Sequence, residues 1–367
     1  MKVLVTGGTG AMGAYLVRIL AEAGNIVDVT TRRARESAVG NMRYIQGDAH
    51  DTGFIAGLLG TGSYDAVVDF MSYTTSEFRR RAEIMTGGTG HYMFLSSSRV
   101  YADSSSPITE DSPRLLDASD DAGYLATDEY ALAKARQEDI LRGGKAGNWT
   151  IIRPYITYSN ERLQLGVLEK ERWLWRAVHG RPVVFSRDIA GKFTTLTWGN
   201  DVAGAIAGLA VNREAFGRAY HITGDEAMKW GDIAEIYREV FAEVTGRELR
   251  MIYTERAIDD TAQVKYDRLY HRRFDNSRIK SAVKNFSPVS IRAGLTRCLT
   301  EFLTGGHDFR EIDAISEAKM DKISGTSTPL SEFRTPGGKA RYILQQYAPF
   351  LVPVMRAAKR TLRRKES

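Results

Sequence analysis

The sequence predicts an α/β chain in which a doubly wound parallel sheet is followed by a smaller second unit. Three observations predict it. Short apolar runs alternate with helical patterns from Lys2 to Ser98, a glycine-rich turn follows the first run directly, and the alternation loosens beyond Tyr155.

The first run, KVLVT from Lys2, reads as a strand, and AYLVRILAEAG behind it spaces its apolar residues as a helix does. IVDVTT from Ile26, then DAVVDF, a helical stretch around FRRRAEIM, and HYMFLSS continue the alternation, which requires parallel strands joined by crossover helices. WTIIRP from Trp149 is a further strand, and the helix before it starts near Thr127, whose hydroxyl is placed to cap it. Longer helices and irregular segments follow, and Asp201–Leu209 reads as a helix docking back on the first unit. The expected division is 1–154 with 195–212 returning to it, a substrate-binding domain over 155–305, and a C-terminal extension over 306–367.

That extension holds a polar stretch, SGTSTPLSEFRTPGG, and then RYILQQYAPFLVPVMRAAKRTLRRK. Its apolar run falls short of the roughly 20 residues that span a bilayer. It reads as a basic amphipathic helix able to make a peripheral membrane contact, each basic residue near anionic lipid adding about 1 kcal/mol. A solvated tail or an oligomer contact is the plainer reading.

With 367 residues, 43% of them hydrophobic, the chain can fill two cores. One cysteine, Cys298, cannot close an intramolecular disulfide, and a strand beginning at Lys2 leaves no room for a signal peptide, so the expected location is the cytoplasm. The net charge is +6, but Arg356, Lys359, Arg360, Arg363, Arg364 and Lys365 supply six positive charges at the C-terminus. The remainder is near neutral, and no nucleic acid partner is expected.

Thr6-Gly7-Gly8-Thr9-Gly10-Ala11-Met12-Gly13 stands between the first strand and its helix. Gly7 and Gly10 let the backbone turn and approach a pyrophosphate, Gly13 lets helix and strand pack, and the helix N-terminus offers unpaired N–H groups across Ala11 and Met12. This is the context of a dinucleotide-binding Rossmann domain. Thr86-Gly87-Gly88-Thr89-Gly90 repeats the letters but precedes a strand, and reads as a connection only. At the tip of the second strand no carboxylate is present to bind a ribose 2′-hydroxyl, whereas Arg32 and Arg33 follow it; NADP(H) is therefore favoured over NAD(H). Asp48, with Ala49, follows the third strand and is placed for the adenine.

Tyr130 and Lys134 are four apart on one face of a predicted helix. A phenol is a poor base at neutral pH, but a nearby ammonium favours its phenolate, so the pair is suited to moving a proton while a nicotinamide moves hydride. Ser96-Ser97-Ser98 ends the preceding strand and offers a hydroxyl to the reacting oxygen.

Together TGGTGAMG, SSSRVY, YALAK and IIRP resemble the extended short-chain dehydrogenases/reductases, the NAD-dependent epimerase/dehydratase family acting largely on nucleotide sugars, over roughly residues 1 to 300. The resemblance implies Tyr130, Lys134 and Ser97 as the catalytic residues. It places Phe70, Met71, Lys134 and Pro154 beside the cofactor, and Ser98 and Tyr155 beside the substrate. The Asp-Glu pair that serves sugar dehydration is replaced by Ser98-Arg99, which speaks against dehydration. Two expected diphosphate contacts, an Asn and an Arg, are replaced by Ile156 and Thr194; Lys192, Arg187, Lys265 and Arg268 are the cations left for that role, and Phe274-Asp275-Asn276-Ser277-Arg278 resembles a late motif of the second domain.

The expectation is an NADP(H)-dependent reductase of a nucleotide-linked 4-keto-6-deoxysugar, in polysaccharide biosynthesis, needing no metal and working as a homodimer through the helix of Tyr130. The alternatives are a nucleotide-sugar 4-epimerase with bound NAD and a non-catalytic nucleotide- or RNA-binding member.

Overall fold

A computed structural model describes residues 1–348 except 38 and 307. Most of the expected basic helix, 349–367, lies outside the described residues.

The central sheet is built from β1 (Lys2–Thr6), β2 (Ile26–Thr31), β3 (Met42–Gln46), β4 (Tyr64–Asp69), β5 (Thr89–Leu95), β6 (Trp149–Pro154) and β7 (Arg218–Ile222). All pairings are parallel, in the order β7-β6-β5-β4-β1-β2-β3. Val3, Leu4 and Val5 of the central strand are fully buried, as a strand covered on both faces must be. The order reverses between β1 and β4, which opens a crevice beyond their carboxyl ends where such sheets bind ligands.

The longer helices are α1 (Gly13–Glu22), α2 (Thr52–Gly62), α3 (Thr75–Gly87), α4 (Tyr130–Arg142), α5 (Lys170–Val178), α6 (Gly199–Ala210), α7 (Trp230–Thr245), α8 (Ile291–Thr304), α9 (Ala314–Ser324) and α10 (Pro336–Tyr347). α1 and α6 pack together on one face of the sheet; α2, α3 and α4 cover the other. The start of α3 is fixed by reciprocal hydrogen bonds between Thr74 and Glu77. The cap expected from Thr127 on α4 is corrected. Thr127 instead closes the preceding turn, donating to the Tyr124 carbonyl at 2.7 Å, and the Glu129 carboxylate caps α4 by accepting from Ala131 N at 2.8 Å.

The second core gathers Trp173 of α5, Trp230 and Tyr237 of α7, and Leu295, Leu299 and Phe302 of α8. The chain returns to the first core through α6, β7 and Ile279, the last two beyond the segment expected to return. The described part of the expected extension is docked on the second core: Met320 of α9 enters it, and fully buried Arg176 donates through Nη1 to Glu317 at 2.7 Å and to Asp321 at 2.9 Å. A buried guanidinium without such partners is several kcal/mol unfavourable, so α9 is held where Arg176 is. Among the described residues no helix is long and apolar enough to cross a membrane.

Candidate active site

Gly7 has φ +70°, and a Cβ there would stand 3.2 Å from Met71 Sδ and 3.3 Å from Phe70 Cβ. At Gly13 a Cβ would meet Gly8 Cα at 2.6 Å, so α1 can approach the loop only through glycine. Gly8, which the sequence reading passed over, is equally constrained, its Cβ falling 2.9 Å from both Val5 and Val29. Gly10 differs: the nearest atom to its Cβ is Gly7 O at 3.8 Å. It opens on a cavity of about 920 Å³ whose walls include Gly7, Ala11, Met12, Gly13, Phe70 and Leu95. No side chain caps the N-terminus of α1, and although Ala14 N donates to the Gly10 carbonyl at 3.0 Å, the N–H groups of Met12 and Gly13 are left for an anion. Size, glycine lining and free N–H groups together fit a dinucleotide.

Arg32 and Arg33 follow β2 as exposed side chains, and no ion pair among the described residues engages either. The acid inside β2, Asp28, is buried and bound by Arg43 at 2.8 Å and by the Tyr64 hydroxyl at 2.7 Å, so it cannot serve a ribose. Asp48 is exposed and accepts from His50 N at 2.9 Å; buried Ala49 accepts through its carbonyl from Arg81 at 2.7 Å. These four lie off the carboxyl ends of β2 and β3, on the same sheet edge as the glycine loop but outside the lined cavity.

Tyr130 is the first residue of α4 and is 40% exposed to the cleft. It lines the cleft with Ser97, which caps the short turn after β5 by accepting from Arg99 N at 3.2 Å. Desolvation of the partly exposed phenol raises its pKa above the ordinary value, and Ser97 and the charges of Arg99 and Arg162 pull the other way without overcoming it. Lys134 is buried one turn on. Its Nζ donates to the Leu95 carbonyl at 2.7 Å and to the Met71 carbonyl at 3.5 Å, 6.0 Å from the Tyr130 ring centroid. Burial pushes its ammonium down to about 8 against the pull of Asp69 and Glu138. Arg99 is the nearer cation, 5.2 Å from the ring centroid, so the charges of Arg99 and Lys134 both face the phenol.

A second cavity of about 280 Å³ meets the first at Met12, Leu95, Thr157, Arg162 and Glu169. Ser97, Tyr130, Pro154, Tyr155 and Arg268 line it, as do Arg99 and Arg162, which the sequence reading did not assign. Neither arginine has a local signal, since each reaches the cleft only through the fold. Four expectations are corrected here. Ser98 is fully buried and donates to the Arg153 carbonyl at 2.8 Å, turned into the sheet and away from the cavity. Lys192 lies in a separate concavity with Asp188, Glu255 and His271. Lys265 pairs with Asp121 at 2.9 Å and Arg187 with Glu255 at 3.4 Å, both outside the cleft. Ile156 lines the cavity with φ +31°, a left-handed backbone that a β-branched residue rarely adopts. Thr194 is fully buried and does not reach it.

Several known proteins are similar to this chain. Over 251 residues it is 25% identical to the chloroplast stem-loop binding protein of 41 kDa b of Arabidopsis thaliana, covering 64% of this chain and 61% of that one. It is 28% identical over 152 residues to a UDP-glucose 4-epimerase of Lactobacillus helveticus, covering 38% and 46%. It is 24% identical over 240 residues to the 2′-dehydrokanamycin reductase of Streptomyces kanamyceticus, covering 64% and 65%. The chain thus spans less than two thirds of each relative's length. Its fold is shared with MoeE5, solved with UDP-glucuronic acid and NAD, at TM-score 0.65 and 20% identity over 84% of this chain and 100% of that one. The model of the NAD dependent epimerase/dehydratase family matches residues 3–186, half of the chain, and with the sheet order, the glycine loop and the Ser97–Tyr130–Lys134 arrangement this establishes that the chain belongs to that family.

Proposed function

We propose that the protein reduces a carbonyl on a nucleotide-linked sugar with hydride from NADPH. The observation that carries this reading is the Tyr130 phenol, which lines the smaller cavity with Ser97 where that cavity joins the glycine-lined one and which is protonated at neutral pH. A protonated phenol is the form that donates. When bound, the nicotinamide supplies hydride. Tyr130 gives its proton to the carbonyl oxygen, Ser97 hydrogen-bonds that oxygen, and the Lys134 charge favours the phenolate left behind.

Arg32 and Arg33, exposed and outside any ion pair of the described residues, support NADPH over NADH. The reductase among the relatives supports the direction. The 4-keto-6-deoxysugars of polysaccharide biosynthesis, implied by the resemblance, are the first substrates to assay. An open groove of about 810 Å³ between α3 and α4 supports a homodimer at that face.

The UDP-glucose 4-epimerase among the relatives favours a second reading, epimerisation with a resident NAD in which Tyr130 takes and returns the proton. RNA binding, raised by the name of the Arabidopsis relative, needs neither Tyr130 nor Lys134. The deciding experiment titrates cofactor-stripped protein with NADPH and NADH by fluorescence and screens nucleotide-linked 4-keto sugars for NADPH oxidation. Reduction requires preferred NADPH binding and turnover that Tyr130→Phe lowers by about 10²–10⁴-fold; tightly held NAD with sugar interconversion and no net oxidation establishes the epimerase.

A further inference from the structure

We propose that the cavity at Tyr130 binds a carboxylate carried by the reacting unit of the substrate, gripped by Arg99, Arg162 and Arg268. The proposal rests on the reading that Tyr130 serves that unit, and it puts a uronate in place of the 6-deoxysugar. Three guanidinium groups line this cavity of about 280 Å³ against one carboxylate, Glu169, which pairs with Arg162 at 3.0 Å.

The charge behind the wall does not restore balance. Asp267 is shared: it accepts from Arg272 Nε at 2.9 Å and from Arg268 Nη1, and its other reach is to Arg99 Nε at 3.8 Å. Arg272 is turned away, donating to the carbonyls of Tyr101 and Ala102. Glu129 takes one edge of Arg99, accepting from Nη2 at 2.8 Å. The Nε of Arg99 is buried and makes no hydrogen bond. A buried charged donor left unmade is unfavourable, and a ligand oxyanion is the acceptor it lacks.

Arg268, only 2% exposed, is paired with Asp267, and its Nε donates to the Gly166 carbonyl at 2.9 Å. Its other contacts are long, Nη2 to Gln164 Oε1 at 3.4 Å and Nη1 to the Tyr155 hydroxyl at 3.5 Å, beyond the roughly 2.7–2.9 Å of a good charged bond. Burial and the neighbouring charges of Arg99 and Arg162 depress its pKa, the mark of like charges gathered without enough counter-charge. The Arg99 guanidinium is 5.2 Å from the Tyr130 ring centroid, so an anion it holds lies beside the reacting oxygen and belongs to the unit that reacts.

Calorimetry on the full chain loaded with NADP⁺ tests this with matched probes: UDP-glucuronate against UDP-glucose, glucuronate against glucose, and malonate. Each uronate should bind at least about tenfold tighter than its neutral partner, the strength of one charge-assisted hydrogen bond. The gap should collapse in Arg99→Gln and narrow in Arg162→Gln, with the thermal midpoint unchanged in both and NADPH affinity unchanged in Arg99→Gln as controls of folding. Equal binding within each pair, or no saturable binding of any carboxylate up to about 10 mM, overturns the proposal. It is also overturned if both variants weaken UDP-glucose as much as UDP-glucuronate, because the arginines would then hold the diphosphate. A gap that persists in a protein oxidising no NADPH supports the anion site and removes the reductase reading instead.

Discussion

Arg153 and Glu138 form a doubly bonded ion pair closed to water. Nε donates to Oε1 at 2.8 Å and Nη2 to Oε2 at 2.5 Å, with 1% and 0% of the two side chains exposed. Glu138 lies one turn beyond Lys134 on α4, Arg153 is in β6, and Ser96 at the end of β5 donates to Glu138 Oε1 at 2.6 Å. One carboxylate therefore sets the relative positions of the helix bearing Tyr130 and the strand end leading to Ser97.

Glu138→Ala is expected to lower stability by about 3–5 kcal/mol in urea unfolding, because it leaves Arg153 buried and uncompensated. The double variant Glu138→Leu/Arg153→Met should recover most of that loss while turnover stays low, since apolar packing replaces the energy of the pair and not its geometry. Burial alone would raise the Glu138 pKa, but Arg153, Ser96 and Arg142 together bring it below its ordinary 4.5. Its stabilisation is thus complete above 4.5 and is lost as pH falls through the lower folded value. A midpoint of unfolding that stays constant down to pH 3 would contradict this.

The two ends of the glycine loop should separate by experiment. Gly13→Ala forces a Cβ to 2.6 Å from Gly8 Cα and should destabilise the fold by roughly 1–3 kcal/mol. Gly10→Ala meets nothing closer than 3.8 Å and should leave the thermal midpoint in place while weakening NADPH binding, read by fluorescence titration.

Turnover in the reductive direction should decline as pH rises through about 8, where the buried Lys134 loses its proton and can no longer favour the departing phenolate. Below that pH Lys134 is charged and Tyr130, its pKa raised, is still protonated. Lys134→Met should be slow at every pH and lack this limb; a limb surviving in the variant assigns it to another group.

Cofactor choice is expected to rest on the exposed pair after β2. Arg32→Ala and Arg33→Ala should each weaken NADPH by about tenfold and leave NADH within about twofold, because a 2′-phosphate is the one feature they can tell apart. Equal losses for both cofactors would reassign the arginines to the pyrophosphate.

The local parts of this fold were legible in the sequence and the convergent parts were not. β1, the glycine loop and α1 declare themselves because strand, turn and helix are consecutive, and Tyr130 and Lys134 share a face by spacing alone. β7 was missed: it pairs with β6 although 63 residues separate Pro154 from Arg218, and RAYHI has no feature that names its partner. Ser98 was misread because a run of serines cannot show which hydroxyl the strand twist turns inward. Arg99, Arg162 and Arg268 come from three distant segments, so only the folded chain shows them as one cluster. Ile156 is instructive in the opposite sense. The side chain expected there is absent, yet the backbone is left-handed at φ +31°, a conformation that asparagine adopts more readily than isoleucine.

Arg310 lines the cofactor cavity, and its segment is moored by Phe309 edge-on to Trp175 and Phe302, both at 5.0 Å, and by Lys170 Nζ donating to the Asp308 carbonyl at 2.9 Å. The rim of the nucleotide site is thus supplied from more than 290 residues beyond the glycine loop that begins it. During synthesis, which releases the N-terminal half first, the loop and its strands emerge long before the wall that completes them. A nascent chain therefore acquires its sheet early and its finished cofactor cleft only when the Arg310 segment emerges, so nucleotide capture on the ribosome would report the arrival of that segment.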